Sequence, residues 1–261
     1  MCRDLRETPP ATLDSLAKYQ RNAENESHIM KAVILAGGLG TRLRPFTEII
    51  PKPLLPIGEK SVLEIQIERL KKHGFDEIFL ATNYKADYLE RFVGDGSQYG
   101  VRVTVSEETK PLGTAGPLTL LQDKLTEPFV VMNGDILSLI DFTDFYQFAL
   151  RQDAWLTIAI RRHITPYAFG DIFFEGDRVT SIEEKPDIVK FILAGIYIMR
   201  PEIFTIIPRD TYFGMDSLIK EMLQRQSPVV KYNLEAYWLD IGQITDFEKA
   251  QDIYRQHFKE D

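Results

Sequence analysis

Lys31-Ala-Val-Ile-Leu-Ala-Gly-Gly-Leu-Gly-Thr-Arg-Leu-Arg-Pro45 decides the fold. The apolar run over residues 31–36 reads as a strand that empties at once into Gly37, Gly38 and Gly40. Glycines at a strand exit let backbone N–H groups approach a bound anion closely. Taken alone, the stretch fits both a phosphate-binding loop and a plain tight exit. The dinucleotide fingerprint G-x-G-x-x-G would need glycine where Leu43 stands, and G-x-x-x-x-G-K-[ST] does not occur.

Downstream of this loop, strand-like and helix-like segments alternate, as expected for a layered sheet with crossover helices. Strands are expected over 31–36, 77–83, 101–107, 129–133 and 155–162. Ser61-Val-Leu-Glu64 is a capping box opening a helix with Leu63, Ile67 and Leu70 on one face and Gly74 as its stop. Further helices are expected around 88–93, 118–125, 142–150 and 216–226, and a last one opened by Thr245-x-x-Glu248. Beyond Trp155 the rhythm changes: 169–174 and 179–183 read as a hairpin turning at Glu175-Gly-Asp-Arg178, and 191–199 as a strand. No internal repeat or β-helix hexapeptide pattern is visible. Upstream, residues 1–29 are polar, contain Pro9-Pro10 and lack a sustained apolar stripe, so they read as an extension to a single domain over 30–261.

The 261 residues, 44% apolar and 27% charged, suit an ordinary folded chain rather than a disordered one. The longest apolar stretch, residues 191–199, is far too short to cross a bilayer. The opening residues lack a leader pattern, which points to a cytoplasmic protein. A lone cysteine, Cys2, excludes an intrachain disulfide and a thiolate zinc cluster. The net charge of −8 argues against a nucleic acid polymer as partner, although a few cations in a cleft suffice for a small phosphorylated ligand.

Such cations follow the glycine loop. Arg42 and Arg44 lie inside it, and Pro51-Lys52-Pro53 braces one lysine between two prolines, which limits backbone freedom on both sides. The whole run Gly37-Gly-Leu-Gly-Thr-Arg-Leu-Arg-Pro-Phe-Thr-Glu-Ile-Ile-Pro-Lys-Pro-Leu-Leu-Pro56 resembles the signature of the sugar-phosphate nucleotidylyltransferases. Five later landmarks extend the resemblance to the last helix: Gly113-Thr-Ala-Gly116, Asn133-Gly-Asp135, Glu183-Glu-Lys-Pro186, Ala194-Gly-Ile-Tyr197 and Trp238-Leu-Asp-Ile-Gly242. Each is weak singly; their order makes them specific.

The resemblance implies an α/β fold: a Rossmann-like, mostly parallel sheet with helices on both faces, a smaller β-rich sugar-binding portion over about 155–235, and ligands beyond the carboxyl ends of the strands. It implies a reaction in which a nucleoside triphosphate and a sugar 1-phosphate give a nucleotide sugar and pyrophosphate. The attacking phosphate oxygen is already ionised near neutral pH, so no activated Ser or Cys is required. What the reaction needs is charge neutralisation and alignment of two anions.

On the same matching, Arg42, Lys52 and Lys185 are the catalytic residues. The nucleotide falls to Leu35, Gly37, Gly38, Gly40, Thr41, Arg42, Glu108, Gly113 and Asn133. The sugar phosphate falls to Lys52, Gly170, Glu184, Lys185 and Gly195. Asp135 and Asp240 would hold Mg2+, which prefers oxygen ligands; without the resemblance, Asn133-Gly-Asp135 reads as a turn. Family members are often dimers or tetramers, so a homo-oligomer is expected.

Glu108 stands where the family faces the edge of the base. A carboxylate only accepts hydrogen bonds; guanine offers adjacent N1–H and N2–H donors, which favours GTP, with a thymidylyltransferase using glucose 1-phosphate as the alternative. A silent sugar-nucleotide-binding protein is the third reading, opposed by the joint presence of Arg42, Lys52, Asp135, Lys185 and Asp240. Leu193 replaces a common Asn and Phe169 a common Tyr, which makes the expected sugar pocket less polar and leaves the sugar open.

Overall fold

The structure is a computed structural model that describes residues 29–258; Cys2 and all but the last residue of the extension expected over 1–29 lie outside the described residues. Seven strands form the central sheet: β1 (Met30–Leu35), β2 (Phe75–Thr82), β3 (Arg102–Glu107), β4 (Phe129–Asn133), β5 (Leu156–Pro166), β6 (Asp187–Met199) and β7 (Val229–Asn233). Their spatial order is β7-β5-β6-β4-β1-β2-β3. All neighbours pair in parallel except at β6, which runs antiparallel to both β4 and β5. The chain leaves β1 toward β2 and β3, then returns to lay β4 on the other flank of β1.

A parallel sheet covered on both faces requires apolar residues at every strand position. Ala32 and Ile34 enter one core cluster and Val33 the other; Ile78 and Leu80 oppose Phe79 and Ala81, and Val130 and Met132 oppose Phe129 and Val131. The first face is covered by α1 (Val62–Lys72), α2 (Ala86–Val93) and α3 (Phe142–Gln152), through Leu63, Ile67, Leu70, Leu89, Phe142 and Phe145. The second is covered by a 3₁₀ segment, Gly116–Leu121, and by α4 (Met215–Gln224), through Leu118, Leu121, Leu218 and Met222. The last helix, α5 (Ile244–His257), joins a third cluster, where Ala250 and Tyr254 meet Leu43, Leu55 and Ile57. Tyr254 lies flush on Gly58: a Cβ there would come within 2.1 Å of its ring.

The capping box forms as expected, with Ser61 Oγ accepting from Glu64 N–H at 3.1 Å and Glu64 Oε2 accepting from Ser61 N–H at 2.7 Å. Two expectations change. The helix expected over 118–125 is instead the shorter 3₁₀ run Gly116–Leu121, in which the Thr119 hydroxyl bonds back to the Gly116 carbonyl. The last helix opens at Ile244 rather than behind a Thr245 cap, since Gln243 is the residue still in extended backbone. The β-rich portion is continuous with the main sheet: β5 runs out of it and β6 returns into it, their outer halves forming a two-stranded arm tipped by the expected hairpin Asp171–Glu175 and Arg178–Glu183.

Among the described residues, no layer covers the outer half of the arm. Directly opposed residues of an antiparallel pair share a face, so Phe191 with Arg162, Val189 with Ile164 and Leu193 with Ile160 line one side. Phe191 is 67% exposed there.

Candidate active site

A cavity of about 300 Å³ opens where four parallel strands end. Leu35 and Asn133 close β1 and β4, Ala81 and Asn83 flank the end of β2, and Glu108 follows β3. This is the carboxyl edge of the sheet at the point where the strand order reverses, where an open α/β sheet leaves a crevice. Gly37 and Gly38 line the cavity from the loop after β1, Gly113, Thr114, Pro111 and Pro117 from the segment after Glu108, Tyr212 from the loop before α4, and Asp135 from the turn after β4.

Close approach of backbones explains the glycines. Gly37 packs on Asn83, whose Oδ1 would lie 3.2 Å from a Cβ, and Gly134 packs on the Leu35 carbonyl at 2.9 Å. Gly40 has φ +58°, and a side chain there would meet Thr47 at 2.7 Å; the Thr47 hydroxyl in turn bonds the Gly40 carbonyl. Thr41 and Arg42 follow in a 3₁₀ turn, Thr41–Leu43, outside the cavity lining.

Lys52 begins a second 3₁₀ turn, Lys52–Leu54, and its ammonium pairs with Asp135 Oδ2. Asp135 Oδ1 is buried with no hydrogen-bond partner. Asp240 comes beside it because Trp238–Asp240 pairs antiparallel with Ile136–Ser138, Asp240 opposite Ile136, and Ile241 N–H bonds the Asp135 carbonyl at 3.0 Å. Burial raises the Asp240 carboxyl above its ordinary range, the Asp135 charge raises it further, and Lys52 and Arg42 oppose the shift. A Cβ at Gly242 would lie 3.7 Å from Asp240 Oδ1 and 3.8 Å from an Arg42 guanidinium nitrogen, so these two groups share one neighbourhood. An orphaned carboxylate oxygen beside a second, electrostatically crowded carboxylate fits a hard divalent cation. No group of three or more His, Cys, Asp or Glu gathers for a metal among the described residues.

Glu108 is buried, its Oε2 accepts from Leu112 N–H at 2.8 Å, and burial pushes its carboxyl up. Gly195, with φ +68°, sits at the register shift of β6, where a side chain would meet the Asn133 amide at 2.7 Å. Gly170, Glu184 and Lys185 lie on the exposed arm, outside the cavity lining. There a Cβ at Gly170 would be 3.1 Å from Glu184 Oε2. Lys185 has φ +49°, a left-handed conformation that non-glycine residues adopt at a cost.

Sequence reasoning missed Asn83, Thr114 and Tyr212. Asn83 was findable, because it follows a parallel strand at its carboxyl end. Thr114 also accepts from Met215 N–H at 2.7 Å, capping α4 from a distant segment, and nothing local in the sequence marks that contact or Tyr212.

Residues 31–257 match the Nucleotidyl transferase family. The chain belongs to that family. A relative, mannose-1-phosphate guanylyltransferase catalytic subunit beta of Danio rerio, is 36% identical over 240 residues, which cover 88% of this chain and 66% of that protein. This chain spans just under two thirds of the length of the curated relatives it matches. Among solved structures, HddC from Yersinia pseudotuberculosis, also solved complexed with GMP-PN, is 30% identical with a TM-score of 0.69, covering 87% of this chain and 100% of that one. A Bacillus anthracis protein described as a candidate glucose-1-phosphate thymidylyltransferase, in complex with a sucrose, gives a TM-score of 0.73 at 25% identity, covering 89% and 98%. Family membership thus rests on the full span from β1 to α5, the same span that builds the cavity. No helix among the described residues is long and apolar enough to cross a membrane.

Proposed function

We propose that the chain is a nucleotidylyltransferase that joins GTP to a sugar 1-phosphate, giving a GDP-sugar and pyrophosphate. An ionised oxygen of the sugar 1-phosphate attacks the α-phosphorus of GTP. The new O–P bond forms as the bond to the bridging oxygen breaks, and the electron pair leaves with pyrophosphate. Backbone N–H groups at Gly37 and Gly38 and the guanidinium of Arg42 hold the nucleotide phosphates. Lys52, paired with Asp135 in the structure, stands ready to neutralise the incoming phosphates, and preorganised charge of this kind needs little rearrangement during reaction. Asp135 and Asp240 would hold Mg2+, which when bound disperses phosphate charge. Lys185 and Glu184 on the arm bind the sugar phosphate and its hydroxyls, with Gly170 and Gly195 leaving room for the ring.

The observation that carries this reading is the single cavity that gathers Gly37, Gly38, Glu108, Gly113, Asn133 and Asp135 from four strand ends. Guanine is supported by the Glu108 carboxylate in that cavity, by the guanylyltransferase relative and by the neighbour complexed with GMP-PN. Pairing of copies belongs to the same reading, supported by the exposed apolar face of the arm. A panel of nucleoside triphosphates against sugar 1-phosphates, read by pyrophosphate release, tests it. GTP should lead with at least one sugar 1-phosphate; equal rates with dTTP would remove the guanine assignment, and no release with any pair would remove the activity.

A further inference from the structure

Gln66 lies on the buried face of α1, 2% exposed, in a position that the hydrophobic pattern of the helix gives to the core. Its amide nitrogen donates to the Asn133 carbonyl at 2.9 Å and to the Ile136 carbonyl at 2.8 Å. Those carbonyls bracket Gly134 and Asp135, so one side chain spans the base of the turn that delivers Asp135 to the cavity. The orientation of the amide is fixed by chemistry, since turning it over would set its oxygen against two carbonyl oxygens. The same helix adds a second tie three residues on, where Arg69 donates to the Ile140 carbonyl at 2.7 Å. Gln66 Oε1 and Arg69 Nε are buried with no partner beside a void of about 10 Å³, the lower limit for one water molecule.

A buried amide with one orphaned atom is an expensive choice for a helix face that Leu or Met would fill without loss. The choice makes sense if two donors at that depth are needed for the turn above. We propose that Gln66 is a positioning residue: its amide clamps the Asn133–Ile136 turn and so aims the Asp135 carboxylate into the cavity. The proposal rests on the reading of Asp135 as a metal ligand. Partners that orient a metal-binding side chain in this way typically control metal affinity or activity by about 10–100-fold.

Two variants separate the clamp from packing. Gln66→Met keeps the volume and removes both donors; Gln66→Glu keeps the shape but, neutral at this depth, offers at most one O–H for two carbonyls. The probe is Mn2+ alone, titrated against the full chain and read by electron paramagnetic resonance, with thermal melting recorded in parallel and Asp135→Asn as control. Both Gln66 variants should bind Mn2+ roughly 10-fold or more weakly, and kcat should fall while the KM for the sugar 1-phosphate holds. A folded Gln66→Met chain with native Mn2+ affinity would overturn the clamp while leaving Asp135 as a ligand. Native Mn2+ affinity in Asp135→Asn, or no Mn2+ binding to the native chain, would instead overturn the metal reading and the clamp with it. Failure of both Gln66 variants to fold would assign the amide to core packing and also overturn the proposal.

Discussion

Glu108, the residue proposed to face the base, carries a cost in stability. Burial raises its carboxyl above the usual range, so in the folded protein the ionised form is disfavoured while the unfolded chain ionises normally. The stabilising contribution of such a group is present at acid pH and lost as pH rises through the folded value. Glu108→Gln should therefore melt higher than the native protein at neutral pH, with the gap closing on acidification below the ordinary carboxylate range. The same change should lower the preference for GTP over dTTP by about 10-fold or more, the scale of one mismatched hydrogen-bonding edge; an unchanged preference would detach Glu108 from the base. At this scale the sequence was most legible where close neighbours confine a residue, as at Gly37 against Asn83 and Gly40 against Thr47. It was least legible where a side chain works across long chain separations. Gln66 reads as a polar residue on an apolar face, and only the fold brings the Asn133 carbonyl to it.

Helix and strand boundaries followed the strength of the local chemistry. Ser61 and Glu64 satisfy each other's backbone, so α1 starts where the motif says it must. Ser61→Ala should cost about 1 kcal/mol and lower the melting temperature by about 2–4 °C, with activity little changed; calorimetry and pyrophosphate release on the same sample check both halves. Thr245 and Glu248 have the right letters at the right spacing, yet Gln243 is the extended residue and the box does not form. Spacing alone does not fix the chain's entry direction; the ladder that sets Asp240 opposite Ile136 does. The Gly116–Leu121 segment was overread as an α-helix because its leucines suit either helix type over so short a run. β5 and β6 were underread for a different reason: Arg161, Arg162, His163 and Lys190 interrupt the apolar runs of their outer halves, and mutual backbone pairing carries the strands on to Pro166 and Asp187.

For the whole molecule, the arm is the feature left uncovered among the described residues. Ile164, Val189, Phe191 and Leu193 lie on one side of it, each at least 40% exposed, and contiguous apolar surface of this kind marks contact with another molecule. Light scattering should find paired copies, and Phe191→Asp should shift them toward monomers while the central sheet keeps its melting transition; a native monomer at assay concentration would end this expectation. The layered sheet itself was readable from β1 and the glycine loop onward, because strands covered on both faces carry near-continuous apolar runs. The joining of the two ends of the domain was not readable from spacing. α5 locks onto the segment after the glycine loop through Tyr254 on Gly58, while Gln251 bonds both Gly58 N–H and the Pro56 carbonyl. One consequence concerns synthesis. A growing chain carries the glycine loop, Glu108 and Asp135 well before Asp240 leaves the ribosome, so on the proposed reading the segments assigned to the nucleotide emerge ahead of the second carboxylate assigned to Mg2+.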